Sequence, residues 1–207
     1  MAKVRMSPPS VHSLAMGALV AAAAYLLGSV DFAVVIARAR GVDIYSEGSG
    51  NPGASNVFRS IGKAAGVAVL LLDLCKGLVA TLVGTVLGGP ALGAAAGFAA
   101  VVGHCYPVFH RFRGGKGAAT LAGVLFGLYP LSAAVLLVIF VLLVAVTRIA
   151  SAGTVLVALA AIPAVLLQGA GGWVLVWVAA GVALVVYRHH GNIGRLLKGT
   201  ERKVVGG

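Results

Sequence analysis

The sequence predicts an all-α, polytopic membrane helix bundle. It has about seven transmembrane helices in a single domain over residues 1–207, with the N-terminus outside and the C-terminus cytoplasmic. Three observations carry that prediction. Of the residues, 60% are apolar and only 10% charged, with a mean hydropathy of +1.03, far outside soluble globular usage. Near-uncharged runs recur at lengths that suit about 30 Å of hydrocarbon at about 1.5 Å per residue. Finally, the basic residues gather in alternate connections between the runs.

The runs are 12–30, 64–88, 91–108, 117–130, 131–147, 150–168 and 172–187. Gly88-Gly89-Pro90 separates the second from the third. Tyr129-Pro130 splits one long apolar stretch, because proline removes a ladder hydrogen bond and seeds a turn. The fourth run is short in consequence, and is expected to be tilted, buried by its neighbours or incomplete. Glycine and alanine crowd the third ("ALGAAAGFAAVVG", Ala91–Gly103), which suits close helix packing in lipid. Asp31, Asp73 and Lys76 are costly inside an apolar bundle and need partners; Asp73 and Lys76, three apart, share a helix face and are expected to pair. Cys75 and Cys105 lack metal-ligand or redox spacing, so neither a disulfide nor a metal site is expected.

The net charge of +11 is not that of a nucleic-acid-binding domain, because of where it falls. Arg38, Arg40, Arg59 and Lys63 flank a first glycine-rich island; Arg111, Arg113 and Lys116 form a second. Arg148 stands alone, and Arg188, Arg195, Lys198, Arg202 and Lys203 lie in the tail. The connections at Gly88–Pro90, Tyr129–Pro130 and Gln168–Gly172 are uncharged. Positive charge in short loops marks the cytoplasmic side, so all three islands are expected there. Lys3 and Arg5 oppose this orientation and are outnumbered.

Each island has anion-binding chemistry. In "GSGNPGASNVFR" (Gly48–Arg59), glycines such as Gly50 and Gly53 let backbone N–H groups converge on an oxyanion. Ser49, Asn51, Ser55 and Asn56 add neutral donors, and Arg59 offers a bidentate fork. In "RGGKG", Gly114, Gly115 and Gly117 surround Lys116 directly before an apolar run, as phosphate sites at helix N-termini do. A Walker A loop is excluded, since His110 and Gly117 occupy positions that need glycine and Ser/Thr. In "YRHHGNIGRLLKGTERK" (Tyr187–Lys203), Arg188, His189 and Asn192 sit at the membrane surface. Ile193, Leu196 and Leu197 suit a short interfacial helix. The plainer alternatives are, in turn, a flexible polar turn, whose glycines only help the chain reverse, a positive-inside anchor, which does not explain the second island's glycines, and a tail drawn to anionic lipid, which does not explain the His-His-Gly-Asn string.

In order, "YLLGSV", "GSGNPGASNVFR", "DLCKG", "GHCYPVFHRFRGGKGAAT", "TRIAS" and "RHHGNIGRLLKGTERK" resemble the bacterial acyl-phosphate:glycerol-3-phosphate acyltransferases, from about Tyr25 to Lys203. The resemblance keeps the first span in the mature protein, against its reading as a signal peptide. Three departures stand out: Asp31 where the family usually has proline, Ser55 for threonine, and Arg113 for lysine.

The resemblance implies transfer of an acyl group from acyl phosphate to the sn-1 hydroxyl of glycerol 3-phosphate, giving lysophosphatidate. The enzyme would need no cofactor and no metal, and would work as a monomer at the cytoplasmic face of a bacterial inner membrane. It implies that Gly114, Gly115, Lys116 and Gly117 belong to the glycerol-3-phosphate loop. Ser49, Asn51, Ser55, Asn56 and Arg59 would contact phosphates and reacting groups, with His104, His189 and Asn192 as further candidates. The base is left open between His104, His189 and a substrate phosphate oxygen. Phe109 and Gly115 stand where the soluble acyltransferases' His-x4-Asp motif would need aspartate. A transporter for phosphorylated metabolites is the alternative from another class, disfavoured because all three islands are expected on one side.

Overall fold

The computed structural model describes residues 11–204, all of whose regular elements are helical. They are α1 (Val11–Gly28), α2 (Phe32–Arg38), α3 (Ala54–Ser60), α4 (Lys63–Cys105), a 3-10 turn (Val108–His110), α5 (Ala118–Leu128), α6 (Pro130–Thr147), α7 (Ala150–Leu166), α8 (Gly172–Arg188) and α9 (His190–Leu197). Lys3 and Arg5, which weigh against the expected orientation, lie outside the described residues.

The longest element, α4, is a hairpin. Its helical path breaks at Gly88 and Gly89, the latter at φ 79° and ψ 179°, a conformation closed to residues with a Cβ. Pro90 then starts the return helix, where its missing N–H costs nothing. A Cβ on Gly84 would lie 2.8 Å from the Leu92 carbonyl oxygen and 2.9 Å from Gly93 Cα, a proximity that only folding back produces. The two halves match the predicted second and third runs.

Glycine sets the helix spacing, as expected in lipid. A methyl on Gly28 would overlap the Ala100 carbonyl, and one on Gly103 the Tyr25 carbonyl, so α1 lies directly on the returning half of α4. Likewise Gly77 rests on the Thr120 carbonyl, and Gly123 on that of Leu74. Gly77→Ala and Gly123→Ala are each expected to destabilise the protein by about 1–3 kcal/mol. Unchanged thermal melts in detergent would show that this crossing is looser than described.

Helix α5 has 11 residues, about 16 Å, too short to cross hydrocarbon. It is instead enclosed: Thr120 is buried, and Leu121, Val124 and Leu125 lie in an apolar core with Val101, Leu136, Ala161, Val165, Val178 and Val185. Among the described residues, three helical stretches have the length and apolarity to cross a membrane, Ser13–Arg38, Lys63–His110 and Pro130–Thr147. Helices α8 and α9, bent by 55°, make a fourth if taken together. Far from the bend, Trp177 packs against Phe98 on one side and Trp173 on the other, with ring centroids 5.4 and 6.5 Å apart.

Two short helices go beyond the predicted runs. α2 follows a break at Ser29–Asp31, and Asp31 explains it. Its Oδ1 accepts hydrogen bonds from the N–H groups of Ala33 and Val34 (3.1 and 3.2 Å), an N-cap. The aspartate that stands in place of the family's proline thus starts a helix. α3 occupies the second half of the first island, where the sequence suggested only a loop. The Asp73–Lys76 pair forms as expected, at 2.8 Å. Lys76 Nζ also donates to the Val30 carbonyl (2.9 Å), tying α4 to the α1–α2 break.

Candidate active site

The three islands meet at one end of the bundle. The first is folded on itself by Asn56, a buried residue of α3. Its Oδ1 accepts from the Ser49 N–H (2.9 Å), and its Nδ2 donates to the Glu47 carbonyl (2.9 Å). Asn56 therefore shapes the island with the groups that were expected to reach substrate. At Gly50, φ is +66° and a Cβ would come within 2.9 Å of the Tyr45 carbonyl oxygen, so glycine is needed there. Ser49, Asn51, Ser55 and Arg59 line the cavity that results.

The second island is clamped between the end of α4 and the first. The Gly115 N–H donates to the His104 carbonyl (3.1 Å). A Cβ on Gly115 would overlap the His104 imidazole and lie 2.7 Å from the Pro52 carbonyl oxygen; one on Gly114 would overlap the His104 carbonyl. From the other side Arg188, at the end of α8, grips the loop. Its Nε and Nη2 donate to the Gly115 carbonyl (3.1 and 2.9 Å), and Nη2 also to that of Gly114 (2.9 Å). The guanidinium lies 5.1 Å from the Tyr106 ring centroid. With both carbonyls held by Arg188, the loop presents Lys116 to the cavity.

Lys116 donates to Asn192 Oδ1, and Asn192 Nδ2 donates to Glu201 Oε1, which fixes the orientation of the amide. Glu201 also accepts from Ser151 Oγ (2.9 Å) and Arg195 Nε (2.7 Å). Burial alone would raise the Glu201 pKa, but the bonds from Asn192, Ser151 and Arg195 hold it below the usual carboxylate range. Burial lowers the Lys116 pKa to about 8; Glu201 opposes that shift, while Arg195, Arg188 and Arg59 add to it. Lys116 thus titrates near 8, well below an ordinary lysine.

His189 caps α8 and is buried. Its Nδ1 lies 2.7 Å from the Val185 carbonyl oxygen, which assigns the proton to Nδ1 and leaves Nε2 as an acceptor. Burial lowers its pKa to about 4, the Val185 bond opposing, so it is neutral at physiological pH. His104 sits deeper, with Nδ1 3.5 Å from Asp73 Oδ1.

These groups enclose a cavity of about 150 Å³ whose wall includes His104, Lys116, His189 and Asn192. It opens to a mouth of about 510 Å³ bordered by Gly50, Gly114 and Arg188. Leu70 of α4, Ala119 of α5 and Phe140 of α6 form an apolar part of the inner wall, facing the membrane-embedded helices. Every sequence-predicted site residue except Gly115 lines the cavity or its mouth, and Gly115 lies directly beneath. Sequence reasoning did not place Arg188, Ser151, Thr154, Arg195, Glu201 or Arg202 at the site. The one available signal was Glu201, an acid inside a basic tail in a chain with only five acidic residues.

The profile of the glycerol-3-phosphate acyltransferase family matches residues 18–199. A glycerol-3-phosphate acyltransferase of Bacillus cytotoxicus is 43% identical over 182 residues, 87% of this chain and 91% of the relative. One from Geobacter sulfurreducens is 43% identical over 187 residues, 89% and 96% of the two chains. Among solved structures, PlsY, an integral membrane glycerol 3-phosphate acyltransferase, superposes in its glycerol 3-phosphate form with a TM-score of 0.88 at 38% identity. That match covers 91% of this chain and 95% of the other; the lysophosphatidic acid form gives 0.86. Profile, relatives and fold agree with the convergence of the three islands on one cavity, and this chain belongs to the glycerol-3-phosphate acyltransferase family.

Proposed function

We propose that this enzyme transfers an acyl group from acyl phosphate to the primary hydroxyl of glycerol 3-phosphate. It does so as a monomer at the cytoplasmic face of a bacterial cell membrane. The observation that carries the reading is one cavity with Arg59, Lys116, Arg195 and Arg202 on its polar side and Leu70 and Phe140 on its apolar side. Two phosphates need the first and a fatty chain needs the second. The uncharged turns at Gly88–Pro90, Tyr129–Pro130 and residues 168–172 support the orientation.

Acyl phosphate is a mixed anhydride with phosphate as leaving group, so positioning and charge neutralisation supply most of the acceleration. The hydroxyl oxygen of glycerol 3-phosphate attacks the acyl carbon, and the bond from that carbon to the phosphate oxygen breaks. The hydroxyl proton passes to a phosphate oxygen or to Nε2 of His189, the free acceptor in the wall. Lys116 and the loop amides hold the glycerol phosphate, while Arg59 and Ser49 face the departing phosphate. His104, backed by Asp73, orders the loop through Gly115.

Purified protein in lipid, given acyl phosphate and labelled glycerol 3-phosphate, is expected to form labelled lysophosphatidate. Comparable product from acyl-CoA alone would overturn the choice of donor. Uptake of label into sealed vesicles without acylation would point to transport. Arg188→Lys keeps the charge but loses the fork that holds two carbonyls. It is expected to raise KM for glycerol 3-phosphate about tenfold while leaving kcat within about twofold. An equal fall in kcat would instead place Arg188 in the chemical step.

A further inference from the structure

The basic residues of this chain exceed what the catalytic cavity uses. Arg38, at the end of α2, and Arg111 and Arg113, after the 3-10 turn, line a separate cleft of about 630 Å³ together with His110. The cleft has one carboxylate, Asp43, and its Oδ1 is already engaged by the Tyr45 N–H (3.0 Å). A wall divides the cleft from the catalytic mouth. Tyr45 Oη donates to the Arg113 carbonyl (2.8 Å), and the Arg113 guanidinium lies over the Tyr45 ring, 4.7 Å from its centroid.

Beside these cations the chain exposes apolar side chains. Phe109, in the cleft wall, is 60% accessible, and Val108 next to it is 42%. Arg111 and Phe112 both hold positive φ, 53° and 59°, where side chains bearing a Cβ are strained. Such strain persists only where surrounding structure enforces it. The turn thus sets guanidinium groups and the Phe109 ring side by side in the cleft, at the end of a membrane bundle. A soluble anion would use the arginines and have no use for the ring.

We propose that this cleft holds the headgroup of one anionic phospholipid. The phosphate is gripped by Arg38, Arg111 and Arg113, and the tails descend past Val108 and Phe109 into the bilayer. The site is distinct from the catalytic cavity and shares only the Tyr45–Arg113 wall with its mouth.

The test uses native mass spectrometry of the purified protein from micelles holding equimolar phosphatidylglycerol and phosphatidylcholine with identical tails. Wild type is expected to retain the anionic lipid in about tenfold preference, since each arginine near a lipid phosphate favours binding severalfold. The double substitution Arg38→Gln with Arg111→Gln is expected to bring the preference near unity without changing the acyl-transfer rate. Arg113 is spared because it also borders the catalytic mouth. Absence of preference in wild type, or its survival in the double variant, overturns the proposal. So does displacement of the lipid by excess inorganic phosphate, which would mark a simple anion site. Should the double variant misfold, raising salt from about 50 to about 500 mM on wild type decides the matter: the preference must fall, and a constant one overturns the site.

Discussion

Lys116→Met is expected to lower kcat/KM for glycerol 3-phosphate by about 10³-fold, the upper range for removing a single preorganised charge or donor from an acyl-transfer site. Lys116 is the cation presented by the glycine loop, and it is held against Asn192 by a chain that runs to Glu201. Arg188 does not replace it, being committed to the loop carbonyls. Its pKa of about 8, lowered chiefly by burial, fixes the pH dependence. A lysine with a lowered pKa is charged below that value and neutral above it. The acceptor's phosphate becomes dianionic above about pH 6, so kcat/KM should be highest between about 6 and 8. Above 8 it should fall about tenfold per pH unit. Lys116→Arg keeps its charge and should lose the alkaline limb while retaining part of the activity. An unchanged alkaline limb in that variant would mean another group controls it.

Arg59→Ala is expected to reduce kcat by about 10²-fold with both substrates saturating, because its charge is matched to phosphate that gains charge as the acyl bond breaks. Arg59→Lys should restore part of this, one ammonium being a poor substitute for a fork. Gly115→Ala provides the contrast. From the sequence, its methyl would obstruct an anion on the loop; in the structure the methyl meets the His104 ring and the Pro52 carbonyl. Its effect should be a raised KM for glycerol 3-phosphate together with a lowered melting temperature, as loop and first island are pushed apart. If Arg59→Ala changed only KM, and Gly115→Ala neither KM nor stability, the roles of the two islands would be exchanged.

Most of the helices were legible because the apolar runs are bounded by glycine, proline or a charged residue. The Gly88-Gly89-Pro90 turn located the α4 hairpin almost to the residue. The islands were legible because glycine beside Lys or Arg is unusual filler in a membrane chain. α2 and α3 were not, being seven residues each and too short to register as spans; α2 depends on the Asp31 cap and α3 on packing against α4. The roles of Arg188, Ser151 and Glu201 were hidden for another reason. Arg188 acts on carbonyls 73 and 74 positions away, and Ser151 meets Glu201 across 50. Contacts at that separation leave no local pattern. Asn56 shows the converse: its presence in the island was plain, but its use in folding the island rather than facing substrate was settled only by tertiary contact.

The stack of Phe98, Trp177 and Trp173 has a practical bearing on how this protein is observed. The chain has two tryptophans, both in the first two turns of α8, whereas the cavity lies at the other end of that helix, past Arg188. Sixteen positions of helix separate Trp173 from His189, about 24 Å. Native ultraviolet emission is therefore a depth gauge for the bundle, open to quenching by brominated lipid tails through the 65% accessible Trp173. It is blind to ligand occupancy. An optical signal for substrate has to be engineered, and Phe140→Trp in the apolar wall puts an indole where an arriving acyl chain would change its emission.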